Sequence, residues 1–145
     1  MNKAFELQLA PGAEEIGLAL MLRDLLTQNF EQHPEKIRDF RQLRLQVGLM
    51  VADAEVAVTL EFNRGTLKIH PGILTGCQLQ ITSEADLVLA LSNVRVKWGL
   101  PYYFDGPGKE VLEAIKSRRI RIKGMVRNFY GLIRLSRILS VHGSG

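Results

Sequence analysis

Apolar residues recur along this chain with two different periods. Over residues 13–31, Leu18, Met21, Leu22, Leu25, Leu26 and Phe30 fall on one broad arc at about 100° per residue, which predicts an amphipathic helix. Glu14 and Glu15 occupy its first turn, where the helix dipole favours acids. His33-Pro34 breaks the run, and Pro34 opens a second short helix reaching about Phe40. The period then falls to two. Leu43, Leu45, Val47, Leu49 and Val51 alternate with Arg44, Gln46, Gly48, Met50 and Ala52. Val56 to Phe62, Leu67 to Ile69, Cys77 to Ile81 and Ile120 to Ile122 repeat the pattern. Alternation places one side-chain set on each face of a strand, so the five segments predict one sheet with a wet face and a covered face.

The intervening residues supply turns and helices. Asp53-Ala54 joins the first two strands tightly, and Asn63-Arg64-Gly65 reads as a three-residue hairpin loop with Gly65 left-handed. The first three strands are therefore expected as an antiparallel meander. Pro71-Gly72 ends the third, and residues 72–76 are long enough to cross to another edge. Ser83 and Asp86 have the spacing of a helix start, followed by an apolar stripe of Leu87, Val88 and Leu91. Residues 108–118 predict another helix with Val111, Leu112 and Ile115 inward. A last helix spans about Val126 to Leu139, with Val126, Phe129, Leu132, Ile133, Leu135 and Leu139 apolar and Arg127, Arg134 and Arg137 on the remaining arc. Val94, Val96 and Trp98 also alternate, which allows an extra short strand. The expected fold class is α+β, with a five-stranded, mostly antiparallel sheet covered by helices on one face. A chain of 145 residues, without a repeat or linker, is expected to form a single domain, residues 1–145.

Composition narrows the class. With 46% hydrophobic and 23% charged residues the chain has too much apolar material to be disordered. It has no apolar window of transmembrane length. The N-terminal MNKAFELQLAPG lacks the block layout of a signal peptide, and the single Cys77 fits a reducing compartment, so a cytoplasmic location is expected. Cys77 itself falls on the inward face of a strand, as an inert buried thiol.

Charge is distributed unevenly. Residues 1–113 carry 11 Lys and Arg against 15 Asp and Glu, whereas residues 114–145 carry 8 Lys and Arg and no acid. Strand and helix periodicity put Arg119, Arg121, Lys123, Arg127, Arg134 and Arg137 outward, as a candidate surface for an anionic membrane. A merely solvated face and a nucleic acid are the other readings. No aromatic residue interleaves among residues 114–128 to stack on bases, and no helix-turn-helix or zinc pattern is present, so nucleic acid has the least support.

Catalytic chemistry is not visible. His33, His70 and His142 are widely separated and none has metal-ligand spacing. Residues 105–110 imitate a phosphate loop, but Tyr103 stands where its first glycine belongs and Glu110 where its hydroxyl belongs. No catalytic residue, metal or cofactor is expected, and the chain is read as a non-enzyme. Trp98 to Phe104 concentrates 4 of the 10 aromatic residues in a Gly/Pro-rich loop, which must pack on the body, close a pocket or touch a membrane interface.

The order of short motifs resembles the sterol carrier protein, or sterol-transfer, domain family. Gly65-Thr66-Leu67-Lys68-Ile69 looks like that family's third strand. Residues 79–87 look like its strand-to-helix stretch, and Arg119-Ile120-Arg121-Ile122-Lys123-Gly124 looks like its late "L-K-I-x-G" strand. The resemblance covers about residues 15–140. It implies helices on one face of a five-stranded sheet and a hydrophobic tunnel for a fatty acyl, sterol-like or isoprenoid ligand. It implies binding or transfer rather than catalysis. The candidate lining residues are Met21, Leu25, Leu87, Leu91, Trp98, Phe129, Leu132 and Ile133. An alternative is an accessory subunit that presents isoprenoid or lipid intermediates to partner enzymes.

Overall fold

A computed structural model of the protein describes residues 5–84, 96–97, 100–101, 106–117 and 119–140. Strand β1 (Glu6–Leu9) and a 3-10 turn (Ala13–Glu15) lead into helices α1 (Gly17–Gln32) and α2 (Lys36–Gln42). Strands β2 (Arg44–Val51), β3 (Val56–Asn63), β4 (Thr66–Pro71) and β5 (Leu79–Ser83) follow. Two-residue strands β6 (Val96–Lys97) and β7 (Leu100–Pro101) pair with each other. Helix α3 (Gly106–Lys116), strand β8 (Arg121–Lys123) and helix α4 (Phe129–Leu139) complete the described chain.

Among the described residues the main sheet has six strands in the order β1-β4-β3-β2-β5-β8, not five. The added strand is β1, whose Glu6 and Gln8 are exposed while Leu7 and Leu9 are half-buried. Four residues carry too little alternation to announce a strand, and pairing with β4 supplies the rest. The meander β2-β3-β4 is antiparallel as expected. However, β1 runs parallel to β4, and β5 runs parallel to β2. The sheet is therefore mixed.

The parallel pair follows from the crossover. Residues 72–78 traverse the outer face of the sheet, from β4 over β3 and β2 to β5. Thr59 points to that face, away from Val58 and Leu60, yet is fully buried because the crossover covers it. Its hydroxyl donates to the Gly72 carbonyl at 2.7 Å and accepts from the Leu74 N–H at 2.9 Å. Ile73 lies over Gly48, where a β-carbon would stand 3.0 Å from its Cδ1. Cys77 belongs to this crossover and not to a strand; it is half-buried, with Sγ 3.3 Å from the Leu74 carbonyl.

The inner face builds the core. Leu45, Val47, Leu49, Val58, Leu60, Phe62, Leu67, Ile69, Leu79 and Ile81 pack beneath Ala19, Leu22, Leu26 and Phe30 of α1 and Phe40 of α2. Phe5, Phe30, Phe40 and Phe62 form a chain of tilted and edge-on rings at 5.0, 4.8 and 6.1 Å, geometries that suit the aromatic quadrupole. The expected helix over residues 13–31 is interrupted at Ile16, which is extended, so only its second part is α-helical. The buried stripe of α1 is also narrower than the expected arc: Met21 is 38% exposed, and Leu25 is half-buried. A helix lying on one sheet face buries one stripe and leaves its shoulders wet.

Two turns differ from expectation. Residues 52–55 all lie between β2 and β3, with Val51 opposite Val56. Arg64 and Gly65 alone connect β3 to β4, and both have positive φ, 49° and 98°, as a primed two-residue turn requires. Arg64 is strained there because its β-carbon crowds the backbone. Replacement of the exposed Arg64 by asparagine is expected to raise stability by about 0.5 kcal/mol in denaturant titration, since asparagine tolerates this region. A lower midpoint would show that the turn is relaxed by other means.

Candidate functional site

The β5-β8 edge of the sheet carries a small apolar cavity. Ile81 comes from β5, Ile122 from β8, and Ile120 from the residues just before it. Val111 and Ile115 enter from α3, and Leu132, Leu135 and Leu139 from α4. Each element contributes through its own period: i and i+2 on the strand, i, i+4 on α3 and i, i+3, i+7 on α4. The polar exception in the lining is Ser136, whose hydroxyl donates to the Leu132 carbonyl at 2.9 Å. The wall therefore offers a ligand dispersion contact with little competition from hydrogen bonding.

The cavity volume is about 60 Å³. That equals about two waters of liquid, against roughly 300 Å³ at the low end for small-molecule sites. Among the described residues, the space between the β5-β8 edge, α3 and α4 is therefore small.

Leu132 is the expected lining residue that the structure places in this wall. Ile133 is buried but lies outside it, and Leu25 is half-buried on α1. Met21 and Phe129 stand on the surface, Phe129 at 51% exposure. Leu87, Leu91 and Trp98 lie outside the described residues, as does the helix expected after Ser83. The remaining aliphatic wall residues are legible as inward positions of their own strand or helix. Their convergence is not, because it depends on β8 pairing beside β5.

Helix α4 is held at its C-terminal end by two buried polar side chains that sequence reading passed over. Asn29 donates to the carbonyls of Ile138 and Leu139 at 2.8 and 3.2 Å. The Lys36 ammonium is fully buried and donates to the carbonyls of Arg137, at 2.6 Å, and Ser140. These carbonyls lie at the C-terminal end of α4, where a cation meets the negative end of the helix dipole. Burial pulls the Lys36 pKa from 10.5 down to about 8, against the opposing pull of Glu35 and Asp39.

The six basic residues expected on one surface separate into two groups. Arg137 pairs with Asp39 at 2.8 Å, and Arg134 donates to Gln42 at 2.8 Å, so both turn toward α2. Arg119 precedes β8 and pairs with Glu84 at 3.2 Å. Arg121, Lys123 and Arg127 stay exposed around the β8–α4 turn. That turn also corrects the start of the last helix. Residues 125–128 are a turn, α4 begins at Phe129, and Val126 is 88% exposed instead of inward.

The opposite face of the sheet is polar. His70, expected to be isolated, lies 3.0 Å from Glu61, and Gln46 donates to the other Glu61 oxygen at 3.3 Å. The His70 hydrogen bond holds the Glu61 carboxyl below its ordinary range. Among the described residues no group of three His, Cys, Asp or Glu is arranged to hold a metal ion. Among them, too, no helix is long and apolar enough to cross a membrane.

The arrangement of sheet and helices has a counterpart among solved structures. One described as "UbiJ-SCP2 Ubiquinone synthesis protein" superposes with a TM-score of 0.60, covering 88% of this chain and 98% of that chain. The fold is sterol-carrier-protein-like. Identity over the match is 12%, so the likeness is one of fold. By sequence, no family profile and no curated protein matches the chain. In this chain β8 pairs beside β5, and Gly131 lets α4 approach Leu45 of β2 so nearly that a β-carbon there would lie 3.1 Å from its side chain.

Proposed function

We propose that this protein is a non-catalytic lipid-handling domain that takes an apolar chain of acyl, sterol-like or isoprenoid type between the β5-β8 edge and helices α3 and α4. The observation that carries this reading is the aliphatic cavity at that edge, within a sterol-carrier-like fold. Ten buried methylenes contribute about 8 kcal/mol before association and ordering costs.

Native mass spectrometry of gently desolvated protein is expected to show a bound lipid, and a fluorescent fatty acid is expected to displace it. Leu132→Trp, which projects a larger ring into the cavity, is expected to weaken fatty-acid binding at least tenfold (about 1.4 kcal/mol). A ligand-free protein that takes up no fatty acid would sink the proposal.

A second reading is favoured by the neighbouring structure's description as a ubiquinone synthesis protein. The domain would then be an accessory subunit presenting an isoprenoid or related lipid intermediate to an enzyme. Size-exclusion chromatography with a prenyl-lipid-modifying enzyme separates the two readings. Co-elution that depends on the loaded ligand supports presentation, and independent elution of a loaded monomer supports simple carriage.

A further inference from the structure

We infer that the β8–α4 turn is a docking tip for an anionic bilayer, seating Val126, Phe129 and Tyr130 at the headgroup level with Arg121, Lys123 and Arg127 around them. Among the described residues, the exposed large hydrophobic side chains are Met21, Met50, Ile73, Met125, Val126, Phe129 and Tyr130. The first three are scattered over α1, β2 and the crossover, whereas the last four fall within six consecutive residues. Exposure reaches 88% at Val126 and 77% at Tyr130. Such values belong to a protrusion, not to a groove. A protrusion suits a deformable apolar layer better than a rigid protein partner, which would need a matching socket.

The charge around the tip selects the kind of layer. Residues 114–145 contain no Asp or Glu. Arg121, Lys123 and Arg127 are exposed and make no ion pair among the described residues. The side chain of Asn128 leaves the first N–H groups of α4 uncapped, which adds the positive end of that helix dipole at the same surface. Aromatic rings with polar or cationic neighbours are the composition that settles at a membrane interface. An acidic protein would satisfy the cations and leave the apolar tip exposed to water.

The tip is also ordered before it binds. Gly124 takes φ 84°, and Asn128 Nδ2 donates to the carbonyls of Gln78 at 3.1 Å and Gly124 at 3.0 Å. Presenting the rings therefore requires little further ordering of the backbone. The placement matters for ligand exchange and here rests on the lipid-handling reading. The turn joins β8 and α4, which supply Ile122 and Leu132 to the cavity wall. Bilayer contact at the turn therefore lies next to two elements of the cavity wall.

The test is flotation of the full chain with vesicles of phosphatidylcholine alone or with about 30% phosphatidylserine, at about 0.1 M and 0.5 M salt. Wild type is expected to float with the anionic vesicles, less so at high salt. Val126→Asp and Tyr130→Asp are expected to reduce the partition coefficient at least tenfold with unchanged melting temperature. Joint replacement of Arg121, Lys123 and Arg127 by glutamine is expected to reduce it about a hundredfold and to remove the salt dependence. Met21→Asp, at an exposed position on α1, serves as the control and is expected to float like wild type. Equal flotation of the tip variants, equal partition onto neutral vesicles, or a wild type that stays at the bottom would each overturn the proposal. So would a vesicle-inert wild-type dimer that Val126→Asp converts to a monomer. Ligand carriage is read on the same samples without vesicles. Carriage without flotation overturns docking alone, and flotation without carriage overturns the cavity reading alone.

Discussion

Lys36→Met is expected to lower the unfolding free energy by about 3 kcal/mol at neutral pH, because the carbonyls of Arg137 and Ser140 at the end of α4 lose a charged donor. For a chain of this length that corresponds to a melting temperature lower by about 10 °C. The pH dependence identifies the mechanism. The folded-state pKa of Lys36 is lowered to about 8 from 10.5, so the unfolded chain binds more protons between those values. Wild-type stability through this group is therefore smallest below about pH 8 and rises toward pH 10.5. The neutral amine still donates to both carbonyls without the cost of a buried charge. The stability gap between wild type and Lys36→Met is expected to widen by about 1–3 kcal/mol over that window. Calorimetry of both proteins at several pH values reads it directly. An unshifted melting temperature, or a gap that narrows with rising pH, would show that the ammonium does not clamp α4 as described.

Gly124→Ala is expected to be at least as damaging, costing about 3 kcal/mol or more. Two effects add. The φ of 84° is strained for any residue with a β-carbon, by about 1–2 kcal/mol. A β-carbon at this position would also press into the Gln78 carbonyl oxygen, which is backbone and cannot rotate away. The turn must then lift from the crossover, losing the Asn128 bond to that same carbonyl. Asn128→Ala alone removes the side-chain bonds without the clash and is expected to cost only about 1 kcal/mol. A denaturant titration that ranks the two variants in the reverse order would place the importance of the turn in its hydrogen bonds, not in the glycine.

Both positions show where the sequence was informative and where it was silent. Gly124 closes the Arg119-to-Gly124 motif that resembles the end of a sterol carrier domain, so its importance was visible in the chain. Lys36 was not: a lysine after Pro34-Glu35 reads as a solvated helix residue. Its burial depends on an acceptor 101 residues away in the chain. The cavity divides in the same way. Val111, Ile115 and Ile122 read as inward because periodicity is local. Met21 and Phe129 read as inward by the same rule and are exposed, since an apolar arc does not reveal how much of it a neighbour covers.

By itself, then, the sequence determined which side chains share a face. The alternation of β2 through β5 and the longer period of α1, α3 and α4 commit each segment to one apolar side, and this alone forces a sheet with helices packed over it. The tertiary structure decided the rest. The crossover over Thr59 placed β5 parallel to β2, and β8 then closed the edge where Ile81 and Ile122 meet α3 and α4. The clamp at Lys36 depends likewise on α2 meeting the distant end of α4. Periodicity is a property of consecutive residues, whereas packing is set by which distant segments meet.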